Sequence, residues 1–326
     1  MKKILTGVMI FAMVLCMASC AGNAGNDAPV SEKPVNVYVL TGPTGIGAVN
    51  LWSSSQAGET EIKYNFTAAA APDEIVAKLS SGEADVAAIS TNLAAKLYQK
   101  TNGGIKILAV NTLGVLSVLD NTNAQITSLS DLAGRKIVTT GLGANPQYII
   151  EYLLRQNGID PSKDVTIDYK AEGSELLAVW AQEPDSVIIA PSPVSTSILM
   201  KFEGSRKVLD LTQEWDKCSD GSALMMGCIV ARTEFCSEYS ALVDGFIKDY
   251  ESSINAAEED PKKTGELCEQ YGIVAKAAIA VKALPDCHIC CIRGQEMKDG
   301  LVGYFKVLYD ADPSSVGALP DEGFWY

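Results

Sequence analysis

The alternation of strand-like and helix-like segments is the feature that most constrains how this chain can fold. Three apolar or β-branched segments, Val35–Leu40, Ile62–Thr67 and Ala84–Ile89, are each followed by a segment that favours a helix. The helix after the second strand has Pro72 and two acidic residues in its first turn, as helix N-termini prefer. Repeated strand–helix–strand units of this length are typical of a mostly parallel sheet with helices on both faces. The sequence therefore predicts an α/β, doubly wound architecture.

A second series of the same kind follows a short capped segment at 128–136. Strands are predicted at Ile137–Thr140, Val165–Tyr169 and Val187–Ala190, again separated by helices. An apolar run returns at Ala223–Ala231, and the chain beyond it is mostly helical. A length of 326 residues suits two domains.

We therefore predict two doubly wound lobes that two crossing segments connect. Lobe 1 is predicted to comprise 35–115 and 223–326, and lobe 2 is predicted to comprise 116–222. The C-terminal part has too few strand-like segments to form a third sheet, so we expect it to pack on lobe 1. Two lobes joined in this way leave a cleft, where small molecules preferentially bind.

The N-terminus has the features of an export signal. Two lysines precede the apolar run Ile4–Leu15, which is too short to span a bilayer but suits a signal peptide. The run ends at Met17-Ala18-Ser19-Cys20, which resembles a bacterial lipoprotein box. We predict a signal peptide at 1–19, lipidation at Cys20 and a flexible tether at 20–34. The alternative is ordinary secretion with a chance cysteine.

Composition excludes several classes of function. The chain has 40 acidic and 26 basic side chains, for a formal charge of −14, which argues against binding nucleic acid through bulk charge. A single histidine argues against histidine triads and multi-histidine metal sites. We therefore predict that the protein is not an enzyme and needs no cofactor.

Small polar residues gather at four predicted strand-to-helix turns, two in each lobe. In open α/β sheets, ligands bind at the carboxyl ends of strands, where helix N-termini present free N–H groups and partial positive charge. The candidates in these turns are Thr41, Gly42, Thr44, Gly45, Ser90, Thr91, Asn92, Thr140, Gly141, Gly143, Ala144, Asn145, Pro191 and Ser192. The same residue types also cap helices throughout proteins, so the set carries more weight than any member.

Two further candidates lie outside these turns. Asn111 follows a strand that leads into the first crossing, and Trp215 lies in an irregular stretch before the second. Trp215 is the strongest of three tryptophans considered for stacking on a ring, although tryptophans more often pack in cores. The predicted turns contain no arginine, which favours a sulfonate, a small inorganic anion or a neutral heterocycle over a carboxylate or phosphate.

The segment Cys287-His288-Ile289-Cys290-Cys291 offers thiols and an imidazole, which are zinc ligands. Its apolar neighbours, however, predict an extended strand in which Cys290 and Cys291 point to opposite faces. We therefore predict no metal site and interpret the cysteines as small buried residues. The exported part would carry seven cysteines, so at least one thiol stays free unless it pairs between chains.

Several motifs resemble those of type II solute-binding proteins of ABC importers. Gly82-Glu83-Ala84-Asp85-Val86 resembles the signature before their third strand, and Leu129–Ile137 resembles the opening of their second lobe. Gly141–Asn145, Tyr152–Pro161 and Asp164-Val165 are similar to the branch for nitrate, sulfonate, taurine and thiamine precursors. The resemblance covers nearly all of 35–326.

The resemblance implies a lipid-anchored receptor on the extracytoplasmic face of the cell membrane. Such a receptor binds a small anionic or heterocyclic solute between its lobes and delivers it to an ABC permease with its ATPase. We expect a monomer that does not bind nucleic acid. Two alternatives stay open, namely an enzyme of the pyrimidine-precursor type on the same fold and a sensory or adhesive lipoprotein.

Overall fold

The computed structural model describes residues 33–120, 126–183 and 186–326. The predicted signal peptide, Cys20 and all but the last two residues of the predicted tether lie outside the described residues. None of the helices in the described ranges combines the length and the apolar character that crossing a bilayer requires.

Eleven strands occur in the described residues. In chain order they are β1 (Val35–Leu40), β2 (Tyr64–Ala69), β3 (Val86–Ser90), β4 (Ile105–Thr112), β5 (Leu116–Asp120), β6 (Lys136–Thr140), β7 (Thr166–Lys170), β8 (Val187–Pro191), β9 (Arg206–Asp210), β10 (Gly227–Arg232) and β11 (Ile289–Ile292).

The same residues form thirteen α-helices. They are α1 (Pro43–Ile46), α2 (Val49–Gln56), α3 (Pro72–Ser81), α4 (Thr91–Lys100), α5 (Asn145–Gln156), α6 (Gly173–Gln182), α7 (Val194–Lys201), α8 (Leu211–Asp216), α9 (Thr233–Glu238), α10 (Ser240–Glu259), α11 (Pro261–Gln270), α12 (Ala277–Cys287) and α13 (Gly294–Ala311).

The strands form two separate sheets, each the centre of one lobe. Lobe 1 contains the order β11-β4-β10-β3-β1-β2, and lobe 2 contains the order β7-β6-β8-β5-β9. Strand β1 is parallel to β2 and β3, and β6 is parallel to β7 and β8. The strand that follows each crossing is antiparallel to its neighbours, β5 in lobe 2 and β10 in lobe 1. The predicted α/β fold with two doubly wound lobes and a helical C-terminal part is confirmed, whereas the lobe limits stay a prediction.

The structure differs from the sequence prediction in several elements. The segment after the first strand was expected to form a helix, and it forms two, α1 and α2, with Gly47 and Ala48 between them. A Cβ at Gly47 would lie 2.3 Å from the Tyr250 hydroxyl, so α10 occupies the space beside this break. Strand β2 begins two residues later than predicted, and β5 and β9 were not predicted as strands.

The two lobes share an apolar core on one flank. One cluster of buried side chains contains residues of both sheets and of α13. At its centre the Trp215 ring lies 5.0 Å from the Tyr152 ring of lobe 2 and 5.5 Å from the Tyr304 ring of α13, centroid to centroid. Aromatic side chains of this size bury large apolar areas, so this shared flank holds the lobes together.

The Gly82–Val86 motif has a structural role. Asp85 is 1% exposed, and its carboxylate accepts hydrogen bonds from the backbone and side-chain amides of Asn36 at 3.0 and 3.2 Å. It also pairs with Arg232 at 2.9 Å and with Lys33 at 3.2 Å. This buried carboxylate therefore ties β1 to the start of β3 and the end of β10.

Candidate functional site

A cavity of about 570 Å³ lies between the lobes. Its walls include the last residue of β3 in lobe 1 and residues that end or follow β1 in lobe 1 and β6 and β8 in lobe 2, which are the carboxyl ends of the strands. This is the edge at which open α/β sheets bind ligands. Nine of the predicted residues line it: Thr41, Gly42, Thr44, Ser90, Thr140, Gly141, Ala144, Asn145 and Pro191.

Six helices begin at the wall of this cavity. For each of α1, α3, α4, α5, α6 and α7, the first residue or the residue before it lines the cavity. Helix N-termini carry partial positive charge and unpaired N–H groups. Their convergence makes the cavity favourable to a negatively charged or strongly polar acceptor group, without any basic side chain.

Several hydroxyl groups in the wall are available to a ligand. The side chains of Thr41, Thr44, Thr140 and Ser197 line the cavity, and their hydroxyls form no hydrogen bond within the described residues. Ser90 also lines the cavity, but its hydroxyl already donates to the Asn92 side-chain oxygen at 3.1 Å. The wall therefore offers unused donors and acceptors from both lobes.

Glu172 is the one ionisable side chain among the described residues that line the cavity. It is exposed, caps the start of α6 and accepts a hydrogen bond from the Ser174 hydroxyl at 3.2 Å. The described lining has no histidine, cysteine, lysine or arginine, so Glu172 is its one candidate for acid–base chemistry.

The apolar part of the wall was not predicted from the sequence. In lobe 1 it includes Ile273, Val274 and Ile279, which come from the connection between α11 and α12 and from α12 itself. In lobe 2 it includes Leu177 of α6 and Val194 of α7. The sequence does not reveal which apolar residues of these segments face a ligand rather than the core.

Seven predicted residues lie outside the cavity wall. They are Gly45, Thr91, Asn92, Asn111, Gly143, Ser192 and Trp215. Trp215 is fully buried in the shared flank, where its indole N–H donates to the Ser222 carbonyl at 2.6 Å. Its irregular sequence context reflects a short helix, α8, that packs inward.

Three of these polar residues support the turns through hydrogen bonds made on the buried side of the cavity wall. The Thr91 hydroxyl donates to the Met225 carbonyl at 2.7 Å, and Asn111 donates to the Thr44 carbonyl at 2.9 Å. Asn92 donates to the carbonyl of Gly143 at 3.3 Å. All three side chains are at most 1% exposed, so they support the wall rather than form it.

The other three lie beside the wall. Gly45 is buried, and a Cβ there would lie 2.3 Å from the Leu40 carbonyl oxygen. Ser192 is buried and exchanges a hydrogen bond with Ser195 at 3.1 Å. Gly143 is exposed on the outer side of its turn with a positive φ of 75°.

The predicted strand is confirmed only in the second half of the cysteine-rich segment, where β11 covers Ile289–Ile292, whereas Cys287 is the last residue of α12. Cys290 packs against the shared core cluster and Cys291 against the other core of lobe 1, so their side chains point to opposite faces. His288 ends α12 and bonds through Nδ1 to the Gly114 carbonyl. Among the described residues no three histidine, cysteine or acidic side chains are grouped as a metal site. All seven cysteines in these ranges have free thiols.

Solved structures share this fold. An ABC transporter protein from Parabacteroides distasonis is 23% identical, with a TM-score of 0.74 over 90% of this chain and 98% of that one. The periplasmic aliphatic sulphonate binding protein SsuA from Escherichia coli is 14% identical, with a TM-score of 0.73 over 91% and 92%. The alkanesulfonate-binding protein SsuA from Xanthomonas axonopodis pv. citri, bound to MOPS, is 13% identical, with a TM-score of 0.66 over 90% and 96%. The chain therefore has the two-lobed fold of periplasmic binding proteins.

Comparison with curated proteins finds no match. A family model does match the sequence, over residues 59–264, which is more than half of the chain and includes parts of both lobes. Its description is NMT1/THI5 like. The chain belongs to the NMT1/THI5-like family.

Proposed function

We propose that the protein is an extracytoplasmic solute receptor that binds a small organic molecule between its lobes. The observation that carries this proposal is the cavity between the sheets, which six helix N-termini and unused hydroxyl groups face. A cavity of about 570 Å³ is within the range of about 300–1,000 Å³ typical of small-molecule sites.

The chemistry of the wall favours a solute with an apolar body and a compact polar head. Apolar side chains from both lobes, such as Ile273 and Leu177, would cover the body. The helix N-termini and the free hydroxyls of Thr44 and Thr140 would hold an anionic or strongly polar head. An ion as small as nitrate would leave most of the cavity unfilled, so a sulfonate or an uncharged heterocycle fits better.

We further propose that the protein delivers this solute to an ABC permease and is anchored to the membrane through a lipid on Cys20. Two of the similar structures described above are sulfonate-binding proteins and one is an ABC transporter protein, which supports this class of partner. The lipoprotein-like sequence at the N-terminus supports export and anchoring. Enzyme function is the weaker candidate because Glu172 is the one ionisable side chain in the described wall.

Thermal-shift measurements and calorimetry on the purified protein test the proposal. The panel comprises alkanesulfonates of increasing chain length, uncharged pyrimidines and nitrate. At a concentration of 100 Kd a solute stabilises the folded state by about 2.7 kcal/mol. With all solutes at one common concentration, we expect at least one alkanesulfonate or pyrimidine to reach that level and nitrate to fall short of it.

A matched pair of variants shows where the solute binds. Ala70 and Ala178 are both exposed, but only Ala70 lines the cavity. Ala70→Trp places an indole in the cavity, so the solute-induced rise in Tm should disappear, whereas Ala178→Trp should keep it. Stabilisation by nitrate alone would contradict the apolar-body assignment. Absence of any stabilisation across the panel would refute the receptor function.

A further inference from the structure

The turn Gly141–Asn145 of lobe 2, called here the glycine turn, has two sides with different contacts. Its inner side lines the cavity through Gly141, Ala144 and Asn145. On its outer side, the backbone carbonyl of Gly143 points toward helix α4 of lobe 1 and accepts hydrogen bonds from it. The Gly143 carbonyl therefore connects lobe 2 to α4 of lobe 1 directly behind the part of the cavity wall that the glycine turn forms.

Lys96 of α4 is one of three side chains that donate across this seam, together with Asn92 and with Asn145 of the turn itself, whose amide donates to the Thr91 hydroxyl at 3.0 Å and to the Met226 carbonyl at 2.6 Å. The Lys96 ammonium group donates to the Gly143 carbonyl at 3.2 Å and to the Tyr148 hydroxyl at 3.2 Å. The same ammonium lies 4.9 Å from the centroid of the Tyr148 ring, within cation–π range. Its partners in the described residues are thus all in lobe 2, and they do not include a carboxylate.

A chain of hydrogen bonds connects the same carbonyl to the cavity wall. The Ser90 hydroxyl, which lines the cavity, donates to the side-chain oxygen of Asn92 at 3.1 Å. The fully buried Asn92 amide donates to the Gly143 carbonyl at 3.3 Å and to the Ser315 carbonyl at 3.2 Å. The wall residue of lobe 1 and the glycine turn of lobe 2 therefore belong to one hydrogen-bonded network.

The glycine turn depends on these hydrogen bonds because its two glycines restrict the backbone conformation only weakly. Gly141 and Gly143 both have positive φ, 87° and 75°, which glycine adopts at little cost. Leu142 between them is 69% exposed, so its side chain does not anchor the turn in a core. Apart from the bond between the Gly143 N–H and Gln147, the contacts that hold Gly143 come from Lys96 and Asn92.

We propose that Lys96 is a positioning residue that holds the glycine turn against lobe 1. In this way it fixes the position of the lobe 2 wall of the cavity relative to the lobe 1 wall. The assignment rests on the proposed function, because the turn is a wall of the proposed solute site. Lys96 itself lies outside the cavity lining and acts on the solute only through the turn.

Hydrogen–deuterium exchange on the full chain without solute tests this role. Lys96→Met keeps the aliphatic stem but removes the donor group. The hydrogen bond from the charged Lys96 ammonium stabilises the closed turn against local opening. Its loss should therefore speed exchange of the backbone amides within 141–148 by about tenfold. Lys96→Arg should restore most of the protection, because a guanidinium can also donate to a carbonyl and a phenol.

Two controls separate positioning from a general loss of stability. Lys100→Met changes the exposed lysine one turn further along α4 and should leave exchange at 141–148 unchanged. In Lys96→Met itself, the strands of both sheets should exchange at the native rate. Native exchange at 141–148 in Lys96→Met, or equally faster exchange in the strands, would overturn the proposal. Because no solute is added, failure of the solute panel would refute the proposed function and leave this result standing.

Discussion

Gly114 lies where the two crossing segments meet, and adding one methyl group there tests how tightly they pack. It belongs to the first crossing, 113–115, between β4 and β5. A Cβ built on it would lie 2.1 Å from the hydroxyl oxygen of Thr212 in α8 and 3.1 Å from a methyl carbon of Leu224, both in the segment between β9 and β10 that contains the second crossing. The shorter contact is closer than real Cβ atoms approach, so Gly114→Ala must displace the Thr212 side chain or the segment that carries it.

The expected magnitude follows from overpacking. Extra methyl groups in well-packed positions cost about 1–3 kcal/mol. The lower entropy of alanine in the unfolded chain offsets about 0.4–1 kcal/mol of that. A net loss of about 1–2 kcal/mol corresponds to a decrease in Tm of roughly 2–8 °C at about 2–4 °C per kcal/mol. Calorimetry or circular dichroism on the purified protein measures this decrease directly.

Two variants make the reasoning refutable. Gly303→Ala, within α13, has 3.7 Å to its nearest neighbour, so it should be neutral or should stabilise by about 0.5–1 kcal/mol. Thr212→Ala removes the oxygen that a Cβ at Gly114 would meet, so the Gly114→Ala change should cost less in that background. If Gly114→Ala melts at or above the native temperature, the crossings are not packed as described.

Two further predictions concern buried groups. Asp85→Ala leaves Arg232 without its buried partner and should lower the free energy of urea unfolding by about 3–5 kcal/mol. Glu234→Ala removes the exposed partner of the same arginine and should lower it by less than about 1 kcal/mol. Similar losses in the two variants would contradict the structural role of the buried Asp85 carboxylate. Burial raises the pKa of the Cys236 and Cys291 thiols to about 11 each, so the folded state holds protons that the unfolded state releases above about pH 9. Stability measured against pH should therefore fall between about pH 9 and 11 and should fall less in Cys236→Ala, and a flat profile there would count against the buried thiols.

The sequence predicted the fold well because the signals were local and repeated. The β-branched β1, and helix α3 with Pro72 and two acidic residues in its first turn, need no distant partner to be recognised. Strand β5 was missed because only 113–115 separates it from β4, with no turn signal strong enough to mark a boundary. Strand β9, which begins with Arg206 and Lys207 and ends with Asp210, lacks the apolar alternation that predicts a strand.

The candidate site was predictable only where the chain itself turns at the strand ends. Thr41, Ser90 and Thr140 line the cavity because the carboxyl ends of the strands converge, which topology alone implies. Ile273 lines it from a connection far along the chain, and no local pattern marks such a contribution. Trp215 shows the opposite case, since it was a candidate for stacking on a ligand ring although its indole is buried in the core.

The shared flank has a consequence for the route by which a solute could enter. On that side an apolar core with three aromatic rings spans both lobes, so separating them there would expose a large apolar area. The cavity wall also includes α7 of lobe 2 and α12 of lobe 1, which contact each other. The ion pair between Lys207 of β9 and Asp286 of α12, 3.5 Å apart and partly exposed, is the kind of contact that water readily replaces. Such a contact costs less to separate than the shared apolar core, so a solute would enter more readily along α12 than through the shared flank.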